Sequence, residues 1–147
     1  MSAVPRVLVV DDNADIRLLL RAVLDQSGYR VVEAGDGVEA LKLLHQDDDV
    51  DAVVLDVQMP DMDGWEILTR IRAEDELAPL PVILCTVKSR LQDTRRGWEL
   101  GCDGFVNKPF SVAEVAQEVT AVVNRAPAER RSRRAEALMA LASTEEP

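Results

Sequence analysis

Short, unbroken apolar runs alternate along the chain with longer segments in which apolar residues recur every three or four positions. The runs are rich in β-branched residues, which is typical of strands buried on both faces of a parallel sheet. The predicted strands are Val7–Val10, Tyr29–Glu33, Asp51–Leu55, Val82–Cys85 and Phe105–Val106. The alternation of strands and helices predicts an α/β fold, in which a doubly wound, five-stranded parallel sheet carries helices on both faces.

The helical segments carry their own start and stop signals. Asp36 with Glu39, and Ser111 with Glu114, have the spacing of a capping box. Ser89 is a further candidate cap, for a helix ending at Leu100. Glycines are typical helix stops, and Gly28 and Gly101 follow two of the predicted helices. The apolar residues at helical spacing include Ile16, Leu19, Leu20, Val23 and Leu24 in the first helix, and Val38, Leu41 and Leu44, expected to point inward, in the second.

Composition and charge narrow the class of protein. The 147 residues are enough for one domain, and no apolar run approaches the roughly 20 residues of a membrane span. The N-terminal apolar run is too short for a secretory signal, so a cytoplasmic location is expected. The net charge of −10 argues against nucleic acid binding and suits a divalent cation or a basic protein surface. Cys85 and Cys102 match no metal-binding spacing, and we expect reduced thiols.

The charge balance changes near Pro127, which predicts a domain over residues 5–125 and a tail over residues 126–147. Pro127 is suited to begin a helix, in which Ala135, Leu138, Met139 and Ala142 would share one face. That apolar face is too small to stabilise a lone helix. Three outcomes stay open: a helix docked on this chain or a sister chain, a frayed tail, and a linker to a further domain.

Polar residues stand where the predicted strands end. Because the carboxyl ends of parallel strands meet at one edge of a sheet, we expect these side chains to lie together. Taken singly, Asp12 is more often a turn former or helix cap, Thr86 a strand-end residue and Lys108 a solvated side chain, whereas Asp56 alone favours neither interpretation. Only their joint placement favours a site. They are Asp11 and Asp12 after the first strand, Asp56 after the third, Thr86 at the end of the fourth, and Lys108 after the fifth.

The chemistry of this set favours phosphoryl transfer. At about 4 Å, two carboxylates repel by roughly 4 kcal/mol, so a cluster of three calls for a cation. Carboxylate oxygens suit Mg²⁺ or Mn²⁺ rather than zinc. A carboxylate, a metal ion, a lysine and a hydroxyl group together can move a phosphoryl group onto the carboxylate.

Four segments resemble the receiver domain of two-component response regulators. They are VLVVDD at 7–12, LDVQMPDMDG at 55–64, VILCT at 82–86 and FVNKPF at 105–110. The resemblance covers about residues 5–125 and implies the flavodoxin-like strand order 2-1-3-4-5.

The resemblance also implies a role for each residue of the site. Asp56 would be the phosphoacceptor, with Lys108 contacting the phosphoryl group and Thr86 hydrogen-bonding to it. Mg²⁺ or Mn²⁺ would be held by the Asp12 and Asp56 carboxylates and the Gln58 backbone carbonyl, and Asp11 would hold a metal-bound water.

Phe105 corresponds to the switch aromatic of the family, where tyrosine is frequent, and brings no hydroxyl group. Val87 stands where a small residue is usual and would narrow access to Asp56. Pro109 matches a proline that often follows a cis peptide bond.

The expected function is that of a stand-alone response regulator. A histidine kinase or phosphotransfer protein would supply the phosphoryl group to Asp56, and the domain would catalyse its own phosphorylation and dephosphorylation. It would signal to a downstream protein through a conformational switch at the surface from Ser89 to Asn124, without binding nucleic acid or a membrane. A homodimer stays open. The alternative is a receiver fragment of a larger transcription factor or signalling enzyme. A constitutive scaffold is a third hypothesis, against which the intact set of site residues speaks.

Overall fold

The computed structural model describes residues 4–47, 49–86, 91–108 and 111–145. Its sheet has five parallel strands in the order β2-β1-β3-β4-β5, which confirms the predicted fold class and strand order. The predictions made on Val87, Ser89 and Pro109 lie outside the described residues. The strands are β1 (Arg6–Val10), β2 (Arg30–Ala34), β3 (Val50–Asp56), β4 (Val82–Thr86) and β5 (Gly104–Asn107), each within a residue or two of its predicted bounds.

One helix follows each strand, and a further helix lies at the end of the described part of the chain. Ser111 and Glu114 form both hydrogen bonds of a capping box, whereas the Asp36 carboxylate accepts from the Glu39 amide alone. Gly28 and Gly101 have φ angles of 95° and 98°, in the left-handed region that favours glycine at a helix end. The helices are α1 (Ala14–Gln26), α2 (Gly37–Gln46), α3 (Gly64–Ala73), α4 (Leu91–Leu100), α5 (Val112–Val123) and α6 (Pro127–Glu145).

Apolar residues fill both faces of the sheet, which explains the unbroken runs. Alternate residues of β1 point to opposite sides, so that Leu8 joins the core beneath α2 and α3 while Val7 and Val9 join the core beneath α1 and α5. The thiols of Cys85 and Cys102 are unpaired and buried. None of the helices in the described ranges is long and apolar enough to cross a membrane.

The prediction that Val38 points inward was wrong. Val38 is 67% exposed, and Leu19, which shares the helical spacing in α1, is 52% exposed. Helix α2 instead turns Gly37 toward α3, so closely that a Cβ atom there would lie 2.7 Å from the Met62 sulfur atom. The next residue is rotated by about 100° around the helix axis and faces outward.

Candidate functional site

Three carboxylates converge at the carboxyl ends of β1 and β3. One side-chain oxygen from each of Asp11, Asp12 and Asp56 lies within 4.8 Å of the others. The sheet register causes this, because Val10 pairs with Leu55 and the residues that follow them therefore end side by side. Asp11 and Asp56 are buried, whereas Asp12 is exposed.

Hydrogen bonds fix the turn that carries the first of these carboxylates. The Asp11 amide donates to the carbonyl of Ala34 at 3.2 Å, and the Asn13 amide donates to the Asp11 carboxylate at 2.9 Å. The Asn13 side chain in turn accepts from the amides of Asp15 and Ile16, so it caps α1. The start of α1 thus holds the Asp11 side chain over the end of the sheet.

The loop after Asp56 returns tightly over the same strand. The Gly64 amide donates to the Val57 carbonyl at 2.9 Å, and a Cβ atom at position 64 would lie 2.6 Å from the Asp56 carbonyl oxygen. Only glycine permits this close approach without a shift of the backbone. Asp61, within the loop, has a φ angle of 68°.

Lys108 provides the positive charge of the site. Its Nζ atom donates to Asp11 Oδ2 at 3.1 Å and to Asp56 Oδ1 at 3.2 Å. Its backbone amide donates to the carbonyl of Thr86 at 2.6 Å, which ties the end of β5 to the end of β4. One ammonium group faces three carboxylates, so the cluster stays negative and suits a divalent cation.

Burial and charge shift the titration of these groups. Burial, followed by repulsion from Asp11, raises the pKa of Asp56 from 3.8 to about 6, although Lys108 opposes the shift. Burial lowers the pKa of Lys108, but attraction by Asp56 and Asp11 outweighs it and the net pKa is raised. At neutral pH Asp56 is therefore mostly a carboxylate beside a charged ammonium group.

The donor set fits a hard divalent metal ion. It consists of carboxylate oxygens and the backbone carbonyl of the exposed Gln58. The amide of Gln58 donates to Asp56 Oδ1 at 3.4 Å, so this residue lies next to the cluster. An open pocket lies beside the loop that follows Asp56. Its lining includes Gln58, Met59, Trp65, Thr86 and Asp93.

Thr86 and Phe105 occupy different surroundings. Thr86 is 3% exposed at the end of β4, next to the strand that carries Asp56. Phe105 is half-buried on the α4 side of the sheet, where its ring meets Trp98 edge-on with a centroid distance of 6.2 Å. The structure therefore brings Thr86 to the edge of the carboxylate cluster and places Phe105 against α4.

Arg17 is a site residue that the sequence analysis missed. Its Nη1 atom donates to the Asp11 carbonyl at 2.6 Å, and its Nε atom donates to Glu33 at 3.0 Å. It thereby joins α1, β1 and β2 directly behind the carboxylates. Its place one turn after the Asn13 cap was visible in the sequence, but its partner on β2 was not.

The fold and this site define a receiver domain, and comparison with known families agrees. The family model described as "Response regulator receiver domain" matches residues 7–120. The chain belongs to this family.

Curated relatives share the same region. The chain is 42% identical over 120 residues to "Probable transcriptional regulator ycf27" of Guillardia theta, covering 82% of this chain and 46% of that protein. It is 40% identical over 120 residues to "Alkaline phosphatase synthesis transcriptional regulatory protein PhoP" of Bacillus subtilis, covering 82% and 49%. The chain thus spans about half the length of the curated relatives it matches.

Solved receiver domains match over nearly their full length. The chemotaxis protein CheY4 of Vibrio cholerae has a TM-score of 0.77 and 30% identity, covering 82% of this chain and 99% of that one. The receiver domain of the Francisella response regulator 1452 also has a TM-score of 0.77 and 30% identity, covering 82% and 98%. The similarity to receiver domains therefore extends over most of this chain.

Proposed function

We propose that the chain is a phosphoacceptor receiver that takes a phosphoryl group onto Asp56 and signals through a change of conformation. The observation that carries this proposal is the position of Asp56, buried at the end of β3 with Lys108 Nζ at 3.2 Å and two further carboxylates around it. A buried carboxylate in contact with an ammonium group is a positioned nucleophile with its charge already balanced in part.

In the forward step, an Asp56 carboxylate oxygen attacks the phosphorus atom of a phosphohistidine. The new P–O bond forms as the P–N bond breaks, and the leaving imidazole becomes neutral on taking up a proton. Lys108 stabilises the charge on the phosphoryl oxygens, and the Thr86 hydroxyl donates a hydrogen bond to one of them. Asp12, Asp56 and the Gln58 carbonyl would hold Mg²⁺ or Mn²⁺, with Asp11 acting through water, and the ion would supply positive charge beside the phosphoryl oxygens.

In a separate hydrolysis step, water attacks the phosphorus atom, the P–O bond to Asp56 breaks, and the water gives up a proton to solvent. The products are inorganic phosphate and the free carboxylate, which is ready for another cycle. The domain therefore catalyses its own phosphorylation and its own dephosphorylation, and it does not turn over a separate substrate.

The partners that suit this chemistry are a histidine kinase or phosphotransfer protein and a downstream protein target. The net charge of −10 favours basic protein surfaces over nucleic acid, and the proposed location is the cytoplasm. Phosphorylation would shift the equilibrium between two surface states.

Labelling by a small phosphodonor tests the proposal. Acetyl phosphate with Mg²⁺ should add one phosphoryl group by intact mass, and excess EDTA should abolish the addition. Asp56→Asn should abolish it as well. Asp61→Asn is the matched control, because Asp61 is exposed, lies in the same loop and has a positive φ angle that asparagine tolerates. Labelling of Asp56→Asn at the wild-type level would refute the assignment.

The length of the curated relatives favours a second candidate, the receiver part of a longer transcriptional regulator. Both relatives described above are named as transcriptional regulators and are about twice as long as the matched region. The mass of the native polypeptide, measured in extracts of its host with an antibody to this domain, separates a stand-alone receiver from this alternative.

A further inference from the structure

Two arginines of helix α6 meet the body of the protein at one buried carboxylate, that of Asp103. This side chain is 1% exposed and stands directly before β5, at the opposite end of the strand from Lys108. Its Oδ1 atom accepts from Arg134 at 2.7 Å and from Arg130 at 3.3 Å, both on α6. Its Oδ2 atom accepts from Arg72 on α3 at 2.9 Å and from the Val82 amide at 2.9 Å.

Backbone carbonyls complete the attachment. Arg130 Nη2 donates to the Pro79 carbonyl at 2.7 Å, and Arg134 Nη1 lies 3.5 Å from the carbonyl of Gly101, which directly follows α4. Arg130 and Arg134 are four residues apart and so lie on one face of the helix. The receiving surface therefore consists of one carboxylate from the start of β5 and carbonyls from the loop before β4 and the end of α4.

The contact face of α6 combines two arginines with half-buried apolar residues. The sequence predicted an apolar face with Ala135, Leu138, Met139 and Ala142, but Met139 is 71% exposed and only Leu138 of the four is half-buried. Ala137 and Leu141 are half-buried as well. The Nε atom of Arg130 is buried and has no hydrogen-bond partner among the described residues. No apolar side chain of residues 127–142 is fully buried, so the hydrogen bonds of the two arginines carry much of the attachment. An unsatisfied buried donor costs free energy, which makes the docked helix easier to displace.

The same surface is connected to the carboxylate site through β5 and α4. Only the four residues of β5 separate Asp103 from Lys108, and Phe105 lies between them. The Phe105 ring packs against Gly97 and Trp98 of α4, near the helix end whose carbonyls face α6. A displacement of β5 or of the Phe105 ring therefore has a direct structural route to Asp103 and to the end of α4.

We propose that α6 is an exchangeable partner of the surface formed by Asp103, Gly101 and Pro79, docked in the unphosphorylated protein and released on phosphorylation. Arg130 and Arg134 can bind only while the Asp103 carboxylate and the two carbonyls keep their positions relative to one another. A phosphoryl group that contacts Lys108 acts at the other end of β5 and disturbs those positions. This inference rests on the proposed phosphoacceptor function. It adds a second signalling surface, which is the released helix α6 with its basic residues.

Amide hydrogen exchange on the full chain tests the release. Exchange over residues 127–142 is compared without ligand and with beryllofluoride plus Mg²⁺, while fluorine NMR reports whether the mimic itself is bound. We expect exchange in α6 to rise roughly tenfold on binding, as for the loss of a charge-assisted hydrogen bond. Bound mimic with unchanged exchange in α6 overturns the release, whereas failure of the mimic to bind counts against the phosphoacceptor function instead.

A pair of arginine variants tests the attachment without any phosphoryl mimic. Arg134→Gln removes a contact to Asp103 and should raise exchange in α6 by roughly tenfold in the resting protein. Arg131→Gln is the matched control, since Arg131 is on the same helix and is exposed. Equal exchange in the wild type and Arg134→Gln would show that the arginines do not hold the helix. An equal rise in both variants would show that helix propensity, not the attachment, sets the exchange.

Discussion

The ring of Phe105 fills the space that a side chain at Gly97 would need. A Cβ atom at position 97 would lie 2.5 Å from the Phe105 Cε2 atom and 3.0 Å from a methyl group of Leu84. Because Gly97 has no side chain, α4 approaches β5 closely and covers one side of the ring. The position of the predicted switch aromatic is thus coupled to the position of α4.

Gly97→Ala should force the Phe105 ring out of its place. Overpacking of this kind typically costs about 1–3 kcal/mol of unfolding free energy, which outweighs the gain of up to about 1 kcal/mol in helix propensity. Urea unfolding of the wild type and the variant measures the difference.

The Phe105→Ala background supplies the control for that experiment. With the ring absent, the added methyl group has room, and Gly97→Ala should become neutral or stabilising there. If Gly97→Ala stabilises both backgrounds equally, the ring and the glycine are not in the tight contact described.

The metal-free protein should gain stability from Asp56 as the pH falls from about 7.5 to about 5. The pKa of Asp56 is raised from 3.8 to about 6 in the folded protein, so between these values the folded state binds more protons than the unfolded state. Protonation then stabilises the fold, and a shift of this size corresponds to at most about 3 kcal/mol.

Urea unfolding of the wild type and Asp56→Asn in EDTA checks this pH dependence. Asp47 responds in the opposite sense, since its pKa is lowered chiefly by a hydrogen bond from the Asp49 amide. The difference between the two proteins isolates Asp56. The advantage of Asp56→Asn at high pH should shrink as the pH falls, and a difference that does not change with pH would contradict the raised pKa.

Much of the carboxylate site could be predicted because it depends on a local rule. Each residue follows an apolar run directly, and parallel topology alone brings Asp56 and Lys108 to one edge of the sheet. Contacts that depend on a distant partner could not be predicted. The burial of Arg130 requires Asp103, which is 27 residues away, and Arg17 requires Glu33 on β2.

Dependence on a distant contact also explains the wrong prediction that Val38 points inward. Val38 and Gly37 are neighbours in a helical pattern, and periodicity favours the larger apolar residue as the buried one. The structure buries the glycine because α2 comes close to Met62, in the loop before α3, and to Ile67 on α3, contacts that no local pattern reports.

Metal affinity should depend strongly on Asp12. Mg²⁺ uses few protein ligands, so the loss of one carboxylate in Asp12→Ala should weaken binding by about tenfold or more. Asp11→Ala should weaken it less, because Asp11 is proposed to act through water. Asp15→Ala is the control, since Asp15 is exposed and lies in the first turn of α1. Calorimetric titration with Mg²⁺ measures all four proteins, and unchanged affinity in Asp12→Ala would remove Asp12 from the site.

Substitution of Thr86 should separate phosphorylation of Asp56 from the conformational switch that follows it. Thr86→Ala keeps Asp56 and Lys108 and should still accept a phosphoryl group, but it lacks the hydroxyl that the phosphoryl group draws in. A charge-assisted hydrogen bond contributes about 1.5–3 kcal/mol, and driving a two-state equilibrium from 1:99 to 99:1 takes about 5.5 kcal/mol. The contacts of Lys108 and Thr86 together contribute about 3–6 kcal/mol, which reaches that value at the upper end of the range, whereas Lys108 alone falls short of it. Thr86→Ala should therefore switch only in part, whereas Thr86→Ser, which keeps the hydroxyl, should switch fully. Amide exchange over residues 91–108 with and without beryllofluoride measures the switch, and a full wild-type response in Thr86→Ala would leave Thr86 with no role beyond ending its strand.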